Sequence, residues 1–195
     1  MRIWNIQLGV LTALLLTTAA RADDYAIDAV HSSVTFQISH LGLAWIHGRF
    51  NEFGGEFTID SADPSKSKFT LSIKPETIDS SNSKRDDHLK SPDFFNVKQF
   101  PELVFKSKVV KPIEGGLEVT GDLSLHGETK LVTFTLKGGR TAEFPPGVSR
   151  TGYSTQLVIK RSDFGVGKPN PALGDEVYVA ISIEERKSKL SRTEC

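Results

Sequence analysis

Apolar and polar residues alternate along most of the chain. In "SVTFQIS" Val34, Phe36 and Ile38 share one parity, and Ser33, Thr35, Gln37 and Ser39 share the other. The same period of two recurs at Phe57 and Ile59, at Phe69, Leu71 and Ile73, and at Leu103 and Phe105. It continues at Leu117 and Val119 into Leu123 and Leu125, then at Val132, Phe134 and Leu136, at Leu157 and Ile159, and at Val177, Val179, Ile181 and Ile183. Successive side chains of a strand point to opposite faces, so this pattern predicts about eight strands with one apolar face each.

Turn-forming residues separate the runs: Gly54-Gly55, "SADPSK", "EGG" at Glu114–Gly116, "HGE" at His126–Glu128 and "KGG" at Lys137–Gly139. Such short links join antiparallel neighbours, because parallel pairing requires a long crossover. The one helical candidate is the charged stretch Asn82–Lys90, and "PPG" at Pro145–Gly147 and "KPNPALGD" at Lys168–Asp175 read as larger loops. An all-β sandwich or up-and-down barrel follows. Closure into a barrel would remove the sheet edges that a strand-rich chain otherwise exposes. Eight strands enclose either their own side chains or one small ligand, and the alternation is the same in both cases.

The first 22 residues stand apart. Arg2 is followed by an apolar stretch from Leu8 to Leu16 and by small residues at Ala20 and Ala22, an A-x-A pattern that predicts a secretory signal peptide cleaved before Asp23. The apolar run is shorter than the roughly 20 residues a spanning helix needs. Residues 23–195 are then expected to form a single domain ending in the polar tail "EERKSKLSRTEC". Without Arg2 and Arg21 the chain carries 22 basic against 24 acidic residues, a formal charge of −2. That balance gives no electrostatic reason to expect nucleic acid or an anionic membrane surface as a partner, and stable membrane insertion is not expected. Cys195 is the sole cysteine, so no internal disulfide forms, though a terminal thiol offers one route to a homodimer.

Catalytic and metal-binding patterns are sparse. The five histidines, His31, His40, His47, His88 and His126, include no i, i+4 pair, so no metal site is predicted. His126 before Gly127 suits a hairpin turn, and His31 and His40 bracket the first strand. No serine lies in a G-x-S-x-G elbow, and there is no phosphate loop or G-x-G-x-x-G. Asp86, Asp87 and His88 point different ways on a short helix and read as a solvated capping face. The chain is expected not to be an enzyme. Its twelve phenylalanines, against three tyrosines and two tryptophans, suit the walls of a deep apolar cavity as well as an ordinary core.

Four ordered blocks, "VHSSVTFQISHLGLAWIHGRFNEFGGEF", "RDDHLKSPDFFNVKQFPELVFKS", "VTGDLSLHGETKLVTFTL" and "RSDFGVG…GDEVYVAIS", resemble the YceI-like family along essentially the whole mature chain. The resemblance implies an extended, eight-stranded, antiparallel, lipocalin-like barrel around a long apolar tunnel, with a short helix over one end. It implies binding, sequestration or transport of a polyisoprenoid or similar long-chain amphiphile in the periplasm, with no cofactor other than such a lipid. The expected lining is Phe36, Ile38, Phe50, Phe57, Leu71, Phe105, Leu125, Phe134, Ile159 and Val179, with Trp45 near a loop. Phe94, Phe95 and Phe100 would plug or line the mouth before Pro101 starts the next strand. Arg161, Asp163 and His40 are the candidates for a head group, though for Arg161 with Asp163 a brace at a barrel corner is the favoured reading.

Two other readings stay open at the level of sequence. The ligand could be a quinone, or the barrel could be filled and act through the loops "PPGVSRTGY" and "KPNPALGD" on a protein partner in envelope stress physiology. A lipid hydrolase would need a nucleophile–base pair that the sequence does not place.

Overall fold

The computed structural model describes residues 22–187; the predicted leader up to Arg21, the end of the polar tail and Cys195 lie outside the described residues. The chain forms eleven strand segments: β1 (Asp23–Ile27), β2 (Ser33–His40), β3 (Ala44–Phe50), β4 (Phe53–Ile59), β5 (Lys68–Ile73), β6 (Ile78–Asp79), β7 (Leu103–Ile113), β8 (Gly116–Leu125), β9 (Glu128–Glu143), β10 (Ser149–Lys160) and β11 (Leu173–Lys187). The α-helix among the described residues is α1 (Ser83–Lys90).

Three pairs of segments act as single, interrupted strands. β1 and β2 both pair with β11, β4 pairs with β1 while β3 pairs with β2, and β5 pairs with β4 while β6 pairs with β3. Counted this way, eight antiparallel strands close on themselves through the β1–β11 ladder. The alternation predicted about eight antiparallel strands in a sandwich or a barrel, and the family resemblance implied the barrel that is found. The alternation missed β1, β3 and the two-residue β6, and in β3 the reason is visible. Its inward positions are Ile46, Gly48 and Phe50, and the glycine breaks the apolar pattern. A Cβ at Gly48 would stand 2.3 Å from Cζ of Phe36, so the ring can lie against the wall only because that position is bare. The polar tail also begins later than the sequence suggests: Glu184–Lys187 belong to β11, and Glu185 is fully buried.

The two ends of the barrel differ. At one end Phe57 and Phe69 meet edge-on at 5.0 Å, and Phe69 meets Tyr153 at 5.9 Å. With Val119, Leu136 and Ile183 they fill the interior. The other end is the mouth, ringed by the β2–β3 turn, the His126-Gly127 hairpin, the 3-10 turn Arg161–Phe164 and the segment that follows α1. His126 (φ 53°) and Gly127 (φ 85°) form the positive-φ pair that suits a tight hairpin.

The wall is incomplete on the mouth side. The β5–β7 ladder spans only Thr70–Ile73 against Leu103–Lys106, and β6 pairs with β3 alone among the described residues. α1 covers that interval. Its start is fixed by the Asn82 side chain, which accepts from the Arg85 N–H at 3.0 Å. It stops at Ser91, which precedes Pro92 and has turned to extended backbone (ψ 169°). A second opening lies between β9 and β10, whose ladder runs from Glu143/Ser149 to Lys137/Ser154 and no further among the described residues.

Candidate ligand-binding site

The mouth half holds a cavity of about 180 Å³. Inward positions of eight strands supply most of the wall: Phe36 and Ile38 on β2, Phe50 on β3, Leu71 on β5, Phe105 on β7, Leu125 on β8, Phe134 on β9, Ile159 on β10 and Val179 on β11. Aromatic rings set its shape. Phe36 lies 5.5 Å from Phe50, Phe105 lies 5.0 Å from Phe134, and Phe50 meets Phe95 edge-on at 6.0 Å.

The segment after α1 closes the cavity from the side. Its backbone folds on itself, with Phe95 N–H donating to Leu89 O at 2.9 Å and Asn96 N–H to Ser91 O at 2.9 Å. This bend turns Phe94 and Phe95 onto the wall. Phe94 lies so close to Gly167 (φ 74°) that a Cβ there would stand 2.8 Å from its ring.

Five of the expected residues are placed elsewhere. Phe57 points inward but sits in the filled half, against Phe69. His40 has the inward parity of Phe36 and Ile38 but lies at the rim, exposed. Trp45 has the outward parity of β3, is 48% exposed and packs edge-on against Tyr178 at 5.3 Å. Phe100 meets the His126 ring edge-on at 4.7 Å, at the hairpin rather than in the cavity. Asp163 is exposed and makes no hydrogen bond or ion pair with Arg161 among the described residues; the acid bonded at this corner is Asp175.

Arg161 is 7% exposed and lies on the cavity wall. Its Nε donates to Gly174 O at 2.9 Å, and its Nη1 donates to the carbonyls of Val166 (3.0 Å), Gly167 (3.2 Å) and Lys168 (3.2 Å). It therefore braces the corner through backbone carbonyls. Asp175 accepts from Ser162 Oγ at 2.7 Å and Ser162 N–H at 3.0 Å, and these bonds, with a smaller contribution from Arg161, hold its carboxyl below the usual range against the cost of burial.

Sequence reasoning missed Arg85. It reaches the cavity from α1, with Nε donating to Ser80 Oγ at 2.7 Å and Nη2 to Ser80 O at 2.5 Å. The available signal was spacing: Arg85 and Leu89 are four apart and share a helix face, and Leu89 is the one apolar residue of α1. Asp86, next to it, accepts from Ser80 N–H and Oγ, while Asp87 and His88 are exposed.

Two other polar groupings lie away from the cavity. Asp28, His31 and Glu184 bring three metal-capable atoms within 4.8 Å of one another. Two guanidiniums already hold the Asp28 carboxylate, Arg150 at 3.0 Å and Arg186 at 3.1 Å, so the cluster is an ion-pair network. His31, Arg150 and the Val30 N–H keep the Asp28 carboxyl below its ordinary range despite its burial. A solvent-open groove of about 720 Å³ crosses the outer face of β2, β3, β10 and β11, edged by Gln37, His47, Arg49 and Asp79, and is a saddle in the sheet rather than an enclosure.

Residues 25–185 match the model of the YceI-like domain. A UPF0312 protein of Pseudomonas putida strain W619 is 40% identical over 185 residues, covering 93% of this chain and 96% of that protein. The crystal structure of a Campylobacter jejuni YceI protein superposes with a TM-score of 0.70 at 28% identity, over 83% of this chain and 96% of that one. A polyisoprenoid-binding domain from Saccharophagus degradans, implicated in plant cell wall breakdown, shares the fold with a TM-score of 0.63 at 17% identity, over 84% of this chain and 98% of that domain.

Proposed function

The chain belongs to the YceI-like family, and from that premise we propose that its mouth-side cavity binds the apolar chain of an isoprenoid or similar amphiphilic lipid, which the protein sequesters or carries through the periplasm. The observation that carries this reading is the wall itself: 24 apolar side chains and two arginines around one cavity. The named polyisoprenoid-binding relative of the same fold supports it. Each methylene moved from water into such a wall gains about 0.8 kcal/mol, so a long hydrocarbon is driven into it and leaves slowly. The chemistry is binding rather than turnover, because no nucleophile or general base stands among the described residues that face the cavity.

The volume of about 180 Å³ is small beside the roughly 300–1,000 Å³ of common ligand pockets. A long chain therefore needs the Phe94–Phe95 segment to move aside, or an exit through the β9–β10 opening. The test is organic extraction and mass spectrometry of the mature protein purified from its native compartment without detergent. A stoichiometric isoprenoid supports the reading and names the cargo. Protein that carries no lipid and takes up no added geranylgeraniol or longer isoprenoid overturns it.

A further inference from the structure

The β2–β3 turn reverses the barrel's habit of hiding its apolar side chains. Leu41 and Leu43 stand at the tip, 57% and 85% exposed. Leu41 has a left-handed backbone (φ 55°), Gly42 follows it (φ 66°), and Leu43 N–H donates to His40 O at 3.0 Å. Asparagine, aspartate or glycine would take that φ at less cost, and no burial of the leucine offsets it.

Single exposed apolar residues are ordinary, but these open a continuous face. Behind the tip on the outer side of β3 is exposed Trp45, edge-on to Tyr178 of β11, and Tyr178 stands opposite exposed Val158 of β10. The face is also ordered along one axis. The outward positions run Leu43, Trp45, His47 and Arg49 from the tip toward the body of the barrel, all of them exposed. Each step of two residues is about 7 Å of strand. One headgroup layer of a bilayer is roughly 5–8 Å thick. Aliphatic side chains at the tip, amphipathic rings one step behind and a guanidinium beyond them follow the order of hydrocarbon, interface and phosphate. A protein partner imposes no such order.

Charge on this face is consistent with the same partner. The arginine ion pairs among the described residues are those of Arg150 and Arg186, so Arg49 is not held by an acid in this way. Asp79 lies opposite it across the β3–β6 ladder, with its carboxylate accepting from Ser81 N–H at 2.8 Å. Glu176 accepts from the Tyr178 hydroxyl and stands opposite Lys160. The tip is continuous with the rim of the cavity. Leu41 N–H donates to Ala172 O at 2.8 Å, and the next residue, Leu173, lines the cavity with Ile38 and Ile46.

We propose that the leucine turn and the Trp45–Tyr178–Val158 band form a membrane-docking surface, which seats the mouth of the barrel in the headgroup layer of an anionic phospholipid bilayer. Two leucines and a few rings hold a protein reversibly, so the docking is peripheral. The surface is separate from the cavity and goes beyond the lipid-binding reading, and its place on the rim lets cargo pass between bilayer and cavity without crossing water. Net charge gives no sign of it, because it is made by local order.

From Asp23 onward Trp45 is the single tryptophan, so the surface carries its own probe. Mature protein is titrated with vesicles of phosphatidylethanolamine and phosphatidylglycerol, or of phosphatidylcholine, bearing bromine at defined depths in the acyl chains. The expected result is a blue-shifted Trp45 emission, quenched more by shallow than by deep bromine. Leu41→Asn combined with Leu43→Ser should weaken partitioning at least about tenfold. The turn, relieved of its strain, should melt no lower than in the parent. Arg49→Gln should weaken partitioning about fivefold on the phosphatidylglycerol vesicles and leave it unchanged on phosphatidylcholine. An emission unmoved by either vesicle, or binding that survives the double leucine substitution in a folded protein, overturns the surface. So does self-association that shields Trp45 before any vesicle is added, which would give the face to a second copy. Isoprenoid uptake, read on the same samples by mass spectrometry, separates the two ideas. Uptake without docking overturns the docking surface alone, and docking without uptake overturns the cavity reading alone.

Discussion

Glu185 is the least explicable side chain in the barrel until its protonation is considered. It is fully buried at the filled end, and neither carboxyl oxygen has a hydrogen-bond partner among the described residues. Burial pushes its carboxyl pKa up to about 8 from an ordinary 4.5, so at neutral pH the folded protein holds it as a neutral acid. Tyr153, nearby, is pushed up to about 12, first by burial and then by the charge Glu185 would carry. The sign of the linkage is fixed by these values. Below pH 4.5 both folded and unfolded chains keep the proton and the contribution is fully present. Between 4.5 and 8 only the folded chain keeps it, so stability falls by about 1.4 kcal/mol per pH unit. Above 8 the loss is complete. Glu185→Gln should remove this slope and be the more stable protein at pH 7, by up to about 3 kcal/mol. Urea unfolding of both proteins at pH 5, 6.5 and 8 checks it. Parallel curves would mean that water or a partner already compensates the carboxyl. The sequence "EERK" gave no sign of this, since a burying register and a solvated tail carry the same letters.

Among the elements, α1 and the segment to Phe100 have the least support from the barrel. α1 buries no residue completely, and its cover over the β6–β7 interval depends on Leu89, Phe94 and Phe95 reaching inward. Phe95 is the contact most directly placed to hold the lid, edge-on to Phe50. Phe95→Ala should cost about 1–3 kcal/mol of stability for a half-buried ring. It should also speed release of a bound lipid roughly tenfold, because affinity changes of this kind fall mainly on dissociation. Stopped-flow transfer of lipid to acceptor vesicles measures the release. A stability loss with unchanged release would make Phe95 a plug with no part in gating. The elements were largely legible in advance, because a period of two survives in eight of the eleven strand segments or their continuations. The residues of the cavity were legible only in part. Period-two reading gives the face of a side chain but not its height along the barrel, which is why Phe57 and His40 have the inward parity yet lie below and above the cavity. Arg85 arrives from another element altogether, by tertiary placement of a helix whose letters read as solvated.

At the scale of the molecule, one filled end and one hollow end make the barrel a measuring device. On β5 Phe69 is the inward residue directly below Leu71, and Leu71 lines the cavity. Two residues of strand rise about 7 Å. The Phe57–Phe69–Tyr153 stack is therefore the floor on which the end of an apolar chain would rest. Affinity should rise with each added methylene while wall remains to cover it, and level off once the chain meets the floor, since further carbons stay in water. Phe69→Ala moves that floor. Removing a ring that is 3% exposed costs about 3–5 kcal/mol, a loss a typical domain survives with little margin, and Phe69→Leu gives a gentler version of the same change. In both variants the plateau should shift to longer chains, more in the alanine than in the leucine protein, while the shortest lipids bind as before. Titration of saturated and isoprenoid series of increasing length against the three proteins reads the shift. A plateau that stays at one chain length in all three would place the far end of the lipid outside the barrel, in the β9–β10 opening, and make the floor a matter of folding alone.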